Sequence, residues 1–157
     1  MKLLLCTIGK GHEPYVREGV EEFSKRLSRY YPVEWTIIAP PKNAGSLPEA
    51  ELRTKEAALV LSLIKPDDYL IALDERGKML TSEGLSLIIQ QRATESTRNV
   101  IFLIGGAYGL APSVLQRANF TWSLSQLTFP HQLVRLILAE QIYRACSILR
   151  NEKYHHR

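Results

Sequence analysis

Five short, mainly apolar runs, separated by segments with helical patterns, constrain the fold of this chain more than any other feature. The apolar runs cover residues 3–8, 33–39, 68–74, 100–104 and 120–124. The helical patterns cover residues 14–30, 49–64, 81–95, 112–118 and 132–149. Buried strands that alternate with helices are typical of a parallel sheet with helices on both faces. The pattern therefore predicts a single α/β domain over residues 1–157, in which residues 75–78 form a turn after the third strand.

Composition limits the class of protein without identifying a function. The 157 residues include 20 Lys and Arg against 16 Asp and Glu, and this net charge of +4 permits a polyanionic partner without requiring one. Cys6 and Cys146 lack metal-ligand spacing, which favours ordinary thiols in a reducing cytosol and no metal site. The apolar run at the N-terminus is too short for an export signal, and no run approaches the roughly 20 residues that span a bilayer. We therefore expect a cytoplasmic protein without a membrane segment.

Three loops in the second half of the chain are expected to form a ligand site. In parallel sheets of this kind, ligands bind beyond the carboxyl ends of the strands. The loops that leave those ends follow Leu73, begin at Gly105 and span residues 124–129. Glycines at 105, 106 and 109 allow backbone groups to approach a ligand closely, although a simple tight turn is the alternative interpretation.

Several common catalytic and nucleotide-binding motifs are missing. Gly9-Lys10-Gly11 lacks the third glycine of a dinucleotide loop, and no glycine loop is followed by the Lys-Ser/Thr pair of a P-loop. There is no Gly-x-Ser-x-Gly elbow and no paired-histidine metal motif. Ser123, Ser125 and Thr128 are therefore interpreted as hydrogen-bonding loop residues rather than as nucleophiles.

The last predicted helix is apolar on more than one face, which indicates burial on two sides, either deep in one domain or between two subunits. His131 at its start has a structural interpretation, in which the ring bonds to a carbonyl group. Glu140 and Arg144 form an ordinary i,i+4 pair. The terminal octapeptide has the composition of a disordered tail, but its Tyr154, His155 and basic residues also suit stacking on a base and contact with phosphate.

Taken together, these segments resemble the RlmH group of SPOUT methyltransferases over the whole length of the chain. The resemblance rests on five segments: Leu73-Asp74-x-x-Gly77-Lys78; Ile104-Gly105-Gly106-x-x-Gly109-Leu110; Trp122-Ser123-Leu124-Ser125-x-Leu127-Thr128-Phe129-Pro130-His131-x-Leu133-x-Arg135; Glu140-Gln141-x-Tyr143-Arg144-Ala145; and Tyr154-His155.

The resemblance implies a fold and a cofactor. Members of this family have a parallel sheet with helices on both faces and a deep C-terminal trefoil knot, and they are homodimers that pack through the last helix. S-adenosylmethionine binds in the knot, mainly through backbone groups. The cofactor-binding positions of this sequence are then Leu73, Gly105, Leu124, Ser125, Gln126, Leu127, Thr128 and Phe129.

The resemblance also implies a substrate, which is N3 of a pseudouridine in helix 69 of 23S rRNA on the assembled ribosome. Candidate catalytic residues are Tyr154, His155, Arg144 and His131. The N3 proton must be removed before the nitrogen can attack the methyl group, and Tyr154, His155 and His131 are the candidate bases or proton relays, whereas Arg144 is expected to orient phosphate or a base edge. Candidate RNA-binding residues are Arg135, Arg144, Arg150, Tyr154 and Arg157. The family tail usually has a proline before the Tyr-His pair, where this chain has Lys153, and His156 is an additional residue.

Two other functions are compatible with these features. A non-catalytic ribosome-associated module would keep the basic tail without binding S-adenosylmethionine. A SPOUT enzyme could also act on transfer RNA, although no appended RNA-binding domain accompanies this chain.

Overall fold

Five parallel strands form one sheet in the order β2-β1-β4-β3-β5. The computed structural model describes residues 1–156. Its strands are β1 (Lys2–Ile8), β2 (Val33–Ile38), β3 (Tyr69–Met79), β4 (Asn99–Ile104) and β5 (Phe120–Ser123). Because every neighbouring pair is parallel, the carboxyl ends of the strands lie at one edge of the sheet. The predicted parallel α/β architecture is confirmed.

Helices cover both faces of this sheet. Helices α1 (Pro14–Leu27), α3 (Ser82–Thr94) and α5 (His131–Leu149) pack on one face, and α2 (Glu49–Leu63) and α4 (Pro112–Arg117) pack on the other. The side chains of β4 alternate between the two cores, with Phe102 in the first and Leu103 in the second. A strand buried on both faces has no polar side to present, and this explains the continuous apolar run in the sequence.

Helix α3 begins at a side-chain cap. The Oγ1 of Thr81 accepts a hydrogen bond from the backbone N–H of Gly84 at 2.9 Å. Such a cap satisfies one of the donors that the first turn of a helix leaves unpaired.

The prediction of a turn at residues 75–78 is wrong, because β3 continues through this segment to Met79. Leu73 and Lys78 both pair with Trp122, so the residues between them form a bulge against β5. A Cβ atom on Gly77 would lie 2.6 Å from the carbonyl oxygen of Thr121 and 2.7 Å from the backbone nitrogen of Trp122. Only glycine allows the two backbones to approach this closely.

The C-terminal residues 150–156 are not a disordered tail but fold back onto α5. The backbone N–H of Glu152 donates to the carbonyl of Ser147 at 3.0 Å, and the Tyr30 hydroxyl donates to the Glu152 carboxylate at 2.6 Å. Arg157 lies outside the described residues. Among residues 1–156, none of the helices has both the length and the apolar character that spanning a bilayer requires.

Candidate active site

A cavity of about 660 Å³ opens at the carboxyl ends of β3, β4 and β5. This volume falls within the roughly 300–1,000 Å³ of typical small-molecule sites. Its wall combines the β3 bulge, the glycine turn after β4, the segment after β5 and the first turn of α5. The three loops selected from the sequence therefore meet at one place.

The cavity wall includes seven of the eight predicted cofactor-binding residues. These are Leu73, Gly105, Leu124, Ser125, Leu127, Thr128 and Phe129. Gln126 does not line the cavity, and its side chain is exposed. The assignment of Gln126 to the cofactor therefore stays a prediction that the shape of the cavity does not support.

Hydroxyl groups shape the segment that follows β5. The Ser123 hydroxyl donates to the carbonyl oxygen of Ser125 at 3.1 Å, and the Ser125 hydroxyl accepts from the backbone N–H of Leu127 at 3.0 Å. The interpretation of Ser123 and Ser125 as hydrogen-bonding loop residues is confirmed, and that of Thr128 stays a prediction. These bonds fix the conformation of the short loop that follows β5 at the cavity wall.

His131 connects α5 to the glycine turn. Its Nε2 lies 2.6 Å from the carbonyl oxygen of Gly105 and 3.4 Å from the Thr7 hydroxyl. Because a carbonyl only accepts, the short contact assigns the proton to Nε2 and leaves Nδ1 as the acceptor. Burial lowers the pKa of His131, so the ring is neutral near pH 7. The carbonyl bond of the structural interpretation is present, and His131 also lines the cavity.

The glycine turn packs against a buried acid on α2. A Cβ atom on Gly106 would lie 2.5 Å from Oε2 of Glu56, and burial raises the pKa of that carboxyl group. Oε1 of Glu56 has no hydrogen-bond partner among the described residues. Sequence reasoning missed Glu56, although its spacing of four residues from Leu52 and from Val60 places it in the buried stripe of the helix.

The wall of this cavity fits an adenosyl cofactor. Apolar side chains of Leu73, Ile104 and Val134 surround it, and exposed backbone groups of the loops supply polar partners. A Cβ atom on Gly105 would meet the Leu110 side chain at 2.9 Å rather than enter the cavity, so this glycine permits the turn itself. No group of three or more His, Cys, Asp or Glu residues suited to a metal occurs in residues 1–156.

A second polar cluster lies at the other end of α5 and contains three of the four predicted catalytic residues. The Tyr154 hydroxyl donates to Oε1 of Glu140 at 2.9 Å, and the Arg144 guanidinium donates to the same oxygen at 2.6 and 3.0 Å. Arg144 also lies 3.3 Å from Nδ1 of His155, whose Nε2 lies 3.1 Å from Oε1 of Glu83. We call these five residues the tail cluster.

The hydrogen-bond partners of His155 determine which of its ring nitrogens carries the proton. A guanidinium only donates, so Nδ1 of His155 accepts from Arg144 and Nε2–H donates to Glu83. Burial and the hydrogen bond to Glu140 raise the pKa of Tyr154. The Tyr154 phenol therefore keeps its proton at neutral pH, and His155 is the better candidate base of the two.

Within the chain, the cavity and the tail cluster lie far apart. His131 and Arg144 are separated by 13 positions of α5, which at 1.5 Å per residue corresponds to roughly 20 Å along the helix axis. No residue of the tail cluster lines the cavity. Within one chain, therefore, His131 does not act together with Tyr154 and His155.

The predicted RNA-binding arginines differ in accessibility. Arg135 is fully buried, with Nη1 3.2 Å from Nδ1 of His12, so in this conformation it offers no surface contact to RNA. The guanidinium of Arg144 contacts Glu140 and His155 within the tail cluster. Arg150 is exposed, with its guanidinium 5.7 Å from the Tyr30 ring centroid. Arg157 falls beyond the described part of the chain.

Four further polar residues, at the cavity and in the tail cluster, were not assigned a functional role from the sequence. Arg53 and Arg76 line the cavity, and Glu83 and Glu140 hold the tail cluster. The i,i+4 spacing of Glu140 and Arg144 was visible in the sequence, but it did not reveal that Tyr154 shares the same carboxylate oxygen.

Comparisons with known proteins agree with this geometry. The family described as "Predicted SPOUT methyltransferase" matches residues 1–155. A protein of Cytophaga hutchinsonii named ribosomal RNA large subunit methyltransferase H is 45% identical over 156 residues, covering 99% of this chain and 100% of the relative. A Bacillus pumilus protein of the same name is 44% identical over 158 residues and covers 99% of each chain.

Among solved structures, a probable methylase family protein from Haemophilus influenzae aligns with a TM-score of 0.51 and 10% identity. The alignment covers 97% of this chain and 67% of that protein. At this identity the similarity concerns the fold alone.

Proposed function

This chain belongs to the SPOUT methyltransferase family, and we propose that it methylates N3 of a pseudouridine in helix 69 of 23S rRNA on the assembled ribosome. The relatives named as large-subunit rRNA methyltransferases support ribosomal RNA as the substrate. The resemblance of the motifs to the RlmH group supports the nucleotide and the atom. The reaction takes place in the cytoplasm, where ribosomes assemble.

The observation that carries the proposal is the meeting of the β3 bulge, the glycine turn and residues 124–129 around one cavity. Bound there, S-adenosylmethionine supplies an electrophilic methyl group. The backbone groups of these loops orient it, and His131 holds the glycine turn through Gly105. Correct positioning of the two reactants contributes as much as about 7–11 kcal/mol to such a transfer.

The acceptor nitrogen must lose its proton, and the tail cluster is suited to receive it. His155 has an acceptor nitrogen at Nδ1, which faces Arg144, and Glu83 stabilises the cation that forms when that nitrogen takes up a proton. For Nδ1 to take up the proton, only its 3.3 Å contact with Nη1 of Arg144 has to break, and Arg144 keeps its two hydrogen bonds to Glu140. Glu140 holds Tyr154 and Arg144 in place by accepting from both.

The distance between the cavity and the tail cluster within one chain supports an active site that is shared between subunits. We propose a homodimer through α5, with the C-terminal segment knotted as in the family, in which the tail cluster of one subunit faces the cavity of its partner. Apolar side chains such as Leu133 and Ile137 are only partly buried on α5, which suits a contact there. The tail then acts in trans.

Methyl incorporation from labelled S-adenosylmethionine tests the proposal. We expect incorporation into 23S rRNA of intact ribosomes, and little into purified 23S rRNA or transfer RNA. The reason is that so small a protein is expected to recognise the folded structure of the assembled ribosome rather than a linear RNA sequence. Mapping of the product to the N3 position of a helix 69 pseudouridine would complete the assignment. Preferential methylation of transfer RNA would contradict it.

Calorimetric titration with S-adenosylmethionine separates catalysis from a purely structural role. The proposal predicts saturable binding to the cavity. A non-catalytic ribosome-associated module would give no saturable heat, and that outcome would overturn the proposal at its first step.

A further inference from the structure

We propose that the outer half of the cavity is the subsite for the target nucleotide, with Tyr108 as the stacking surface for its base and the guanidinium groups of Arg53 and Arg76 as ligands for its phosphates. The inference rests on the proposed function, because the ligand is an RNA nucleotide. It assigns roles to three residues that are not among those predicted to bind the cofactor.

The residues that line the cavity fall into two groups of different chemistry, which we call its inner and outer halves. The inner half contains the residues that suit the cofactor, together with His131 and Val134. The outer half is formed by the tip of the β3 bulge, the exposed part of the glycine turn and one side chain of α2. Its residues are Arg53, Asp74, Glu75, Arg76, Ala107 and Tyr108. A transfer reaction needs its acceptor beside the donor, and this half is adjacent to the inner one.

Tyr108 presents an open aromatic face at this position. Its side chain is 50% exposed, and among the described residues no other ring packs against it. The turn that carries it is closed by a hydrogen bond from the N–H of Gly109 to the carbonyl of Gly106 at 3.1 Å. An exposed ring on a closed turn is suited to stacking, since every base has a π-face.

Arg76 is held in a fixed orientation at the edge of the cavity. Its Nε and Nη2 donate to the two carboxylate oxygens of Asp74 at 2.9 and 3.0 Å. The Asp74 side chain is 6% exposed and that of Arg76 is 67% exposed, so the remaining N–H groups of the guanidinium are available. The same contact lowers the pKa of Asp74, which keeps the carboxylate charged. An oriented guanidinium loses little freedom when it binds phosphate.

Arg53 is less constrained and faces the same space. Its nearest acid is Glu49, at 3.9 Å, which leaves most of its donors free. Asp74 and Glu75 balance the charges of the two arginines, so this half of the wall has no net charge. Binding there depends on the positions of the donors rather than on general attraction to a polyanion.

A concave subsite of this kind requires the target base to leave its stack. Enzymes that modify a base extrude it into a pocket, where aromatic stacking replaces the lost contacts. Tyr108 supplies the ring face, and the arginines are placed to hold the displaced backbone. The base then lies between Tyr108 and the methyl donor.

Steady-state methylation of intact ribosomes, combined with calorimetry for S-adenosylmethionine, tests this arrangement. We expect Tyr108→Ala to lower kcat/KM for ribosomes between about 5- and 150-fold, the range for loss of one stacking aromatic residue. Tyr108→Phe should restore it. Arg53→Ala and Arg76→Lys should mainly raise KM. In all four variants the affinity for S-adenosylmethionine should equal that of the wild type.

Tyr15→Ala and Arg29→Ala are the matched controls, because both side chains are exposed on or near α1 and outside the cavity. Unchanged kcat/KM in Tyr108→Ala would overturn the inference, and so would an equal loss of cofactor affinity, which would place Tyr108 in the cofactor half. The wild-type reaction tests the proposed function separately. If the wild type methylates ribosomes and the variants equal it, only the nucleotide subsite is wrong.

Discussion

The cavity and the tail cluster occupy opposite ends of α5 and are built in different ways. The cavity is formed mainly by loops at the carboxyl ends of three strands, with backbone groups and glycines at its wall. The tail cluster is a network of side chains from α3, α5 and the C-terminal residues, centred on Glu140 and Arg144. The first suits positioning of a cofactor, and the second suits transfer of a proton.

This difference determines how mutations should act. A change at a residue that shapes the backbone of the cofactor loops, such as a glycine, should affect cofactor binding and stability together. A change in the tail cluster removes a side chain from a partly buried polar network that lies outside both hydrophobic cores, so it should affect turnover far more than stability.

Removal of residues 154–157 should abolish methyl transfer to ribosomes. The deletion removes the candidate base His155 and the Tyr154 ring, which lies 4.6 Å from that of Tyr143. The affinity for S-adenosylmethionine, measured by calorimetry, should remain that of the wild type, because none of the described residues of the segment lines the cavity. Loss of cofactor binding in the truncated protein would show that the two regions are not separate.

Gly77→Ala should destabilise the protein by about 3 kcal/mol, at the upper end of the usual cost of overpacking. The added Cβ meets the backbone of Thr121 and Trp122, which cannot move without displacing β5. Urea unfolding measures the change. Gly45→Ala is the matched control, because its Cβ would meet no atom within 4 Å and should change stability by less than about 0.5 kcal/mol.

The pH dependence of stability should identify His131 as a buried neutral ring. Burial lowers the pKa of His131 from 6.5, so below pH 6.5 the unfolded chain binds a proton that the folded protein does not. Folding is therefore progressively weakened as the pH falls from 6.5 toward the lower, folded pKa. The raised pKa of Glu56 acts in the opposite direction.

Comparison with His131→Gln isolates the contribution of His131 from that of Glu56. Between pH 7.5 and 5.5, the free energy of unfolding of the wild type should decrease relative to that of the variant. Parallel pH profiles for the two proteins would contradict a lowered pKa at this position.

Ser125→Ala should have the smallest effect, weakening binding of S-adenosylmethionine by about 0.5–1.5 kcal/mol, the net value of one hydrogen bond. The hydroxyl accepts from the N–H of Leu127 and so helps to shape the loop. Thr128→Ser is a control that retains a hydroxyl at the same wall. An unchanged dissociation constant in Ser125→Ala would mean that the loop keeps its shape without this bond.

The strands, the helices and the position of the cavity could be predicted from the sequence because each depends on local patterns. Apolar runs such as residues 100–104 mark buried strands, and parallel strands bring their carboxyl ends together wherever they pair. The β3 bulge could not be predicted, since Glu75-Arg76-Gly77-Lys78 has the composition of a turn, and only the contact with Trp122 keeps it in the strand. Tertiary pairing overrides local propensity there.

The tail cluster was only partly predictable for a related reason. The sequence identified Tyr154, His155 and Arg144 as candidates through the family resemblance, but Glu83 lies 72 positions from His155 in the chain. No local pattern joins residues so distant. The burial of Arg135 was also invisible, because a helix that is apolar on two faces leaves the direction of each polar residue undefined.

The central claim is that the cavity of one subunit works with the tail of its partner, and a purified mixed dimer tests it most directly. One subunit lacks residues 154–157, and the other carries Gly105→Val, whose branched side chain would collide with Leu110 and distort the glycine turn. Each variant alone should be dimeric and inactive. If the tail acts in trans, the mixed dimer retains one complete site, formed by the intact cavity of the first subunit and the intact tail of the second, and it methylates ribosomes. A correctly folded mixed dimer without activity would contradict the claim.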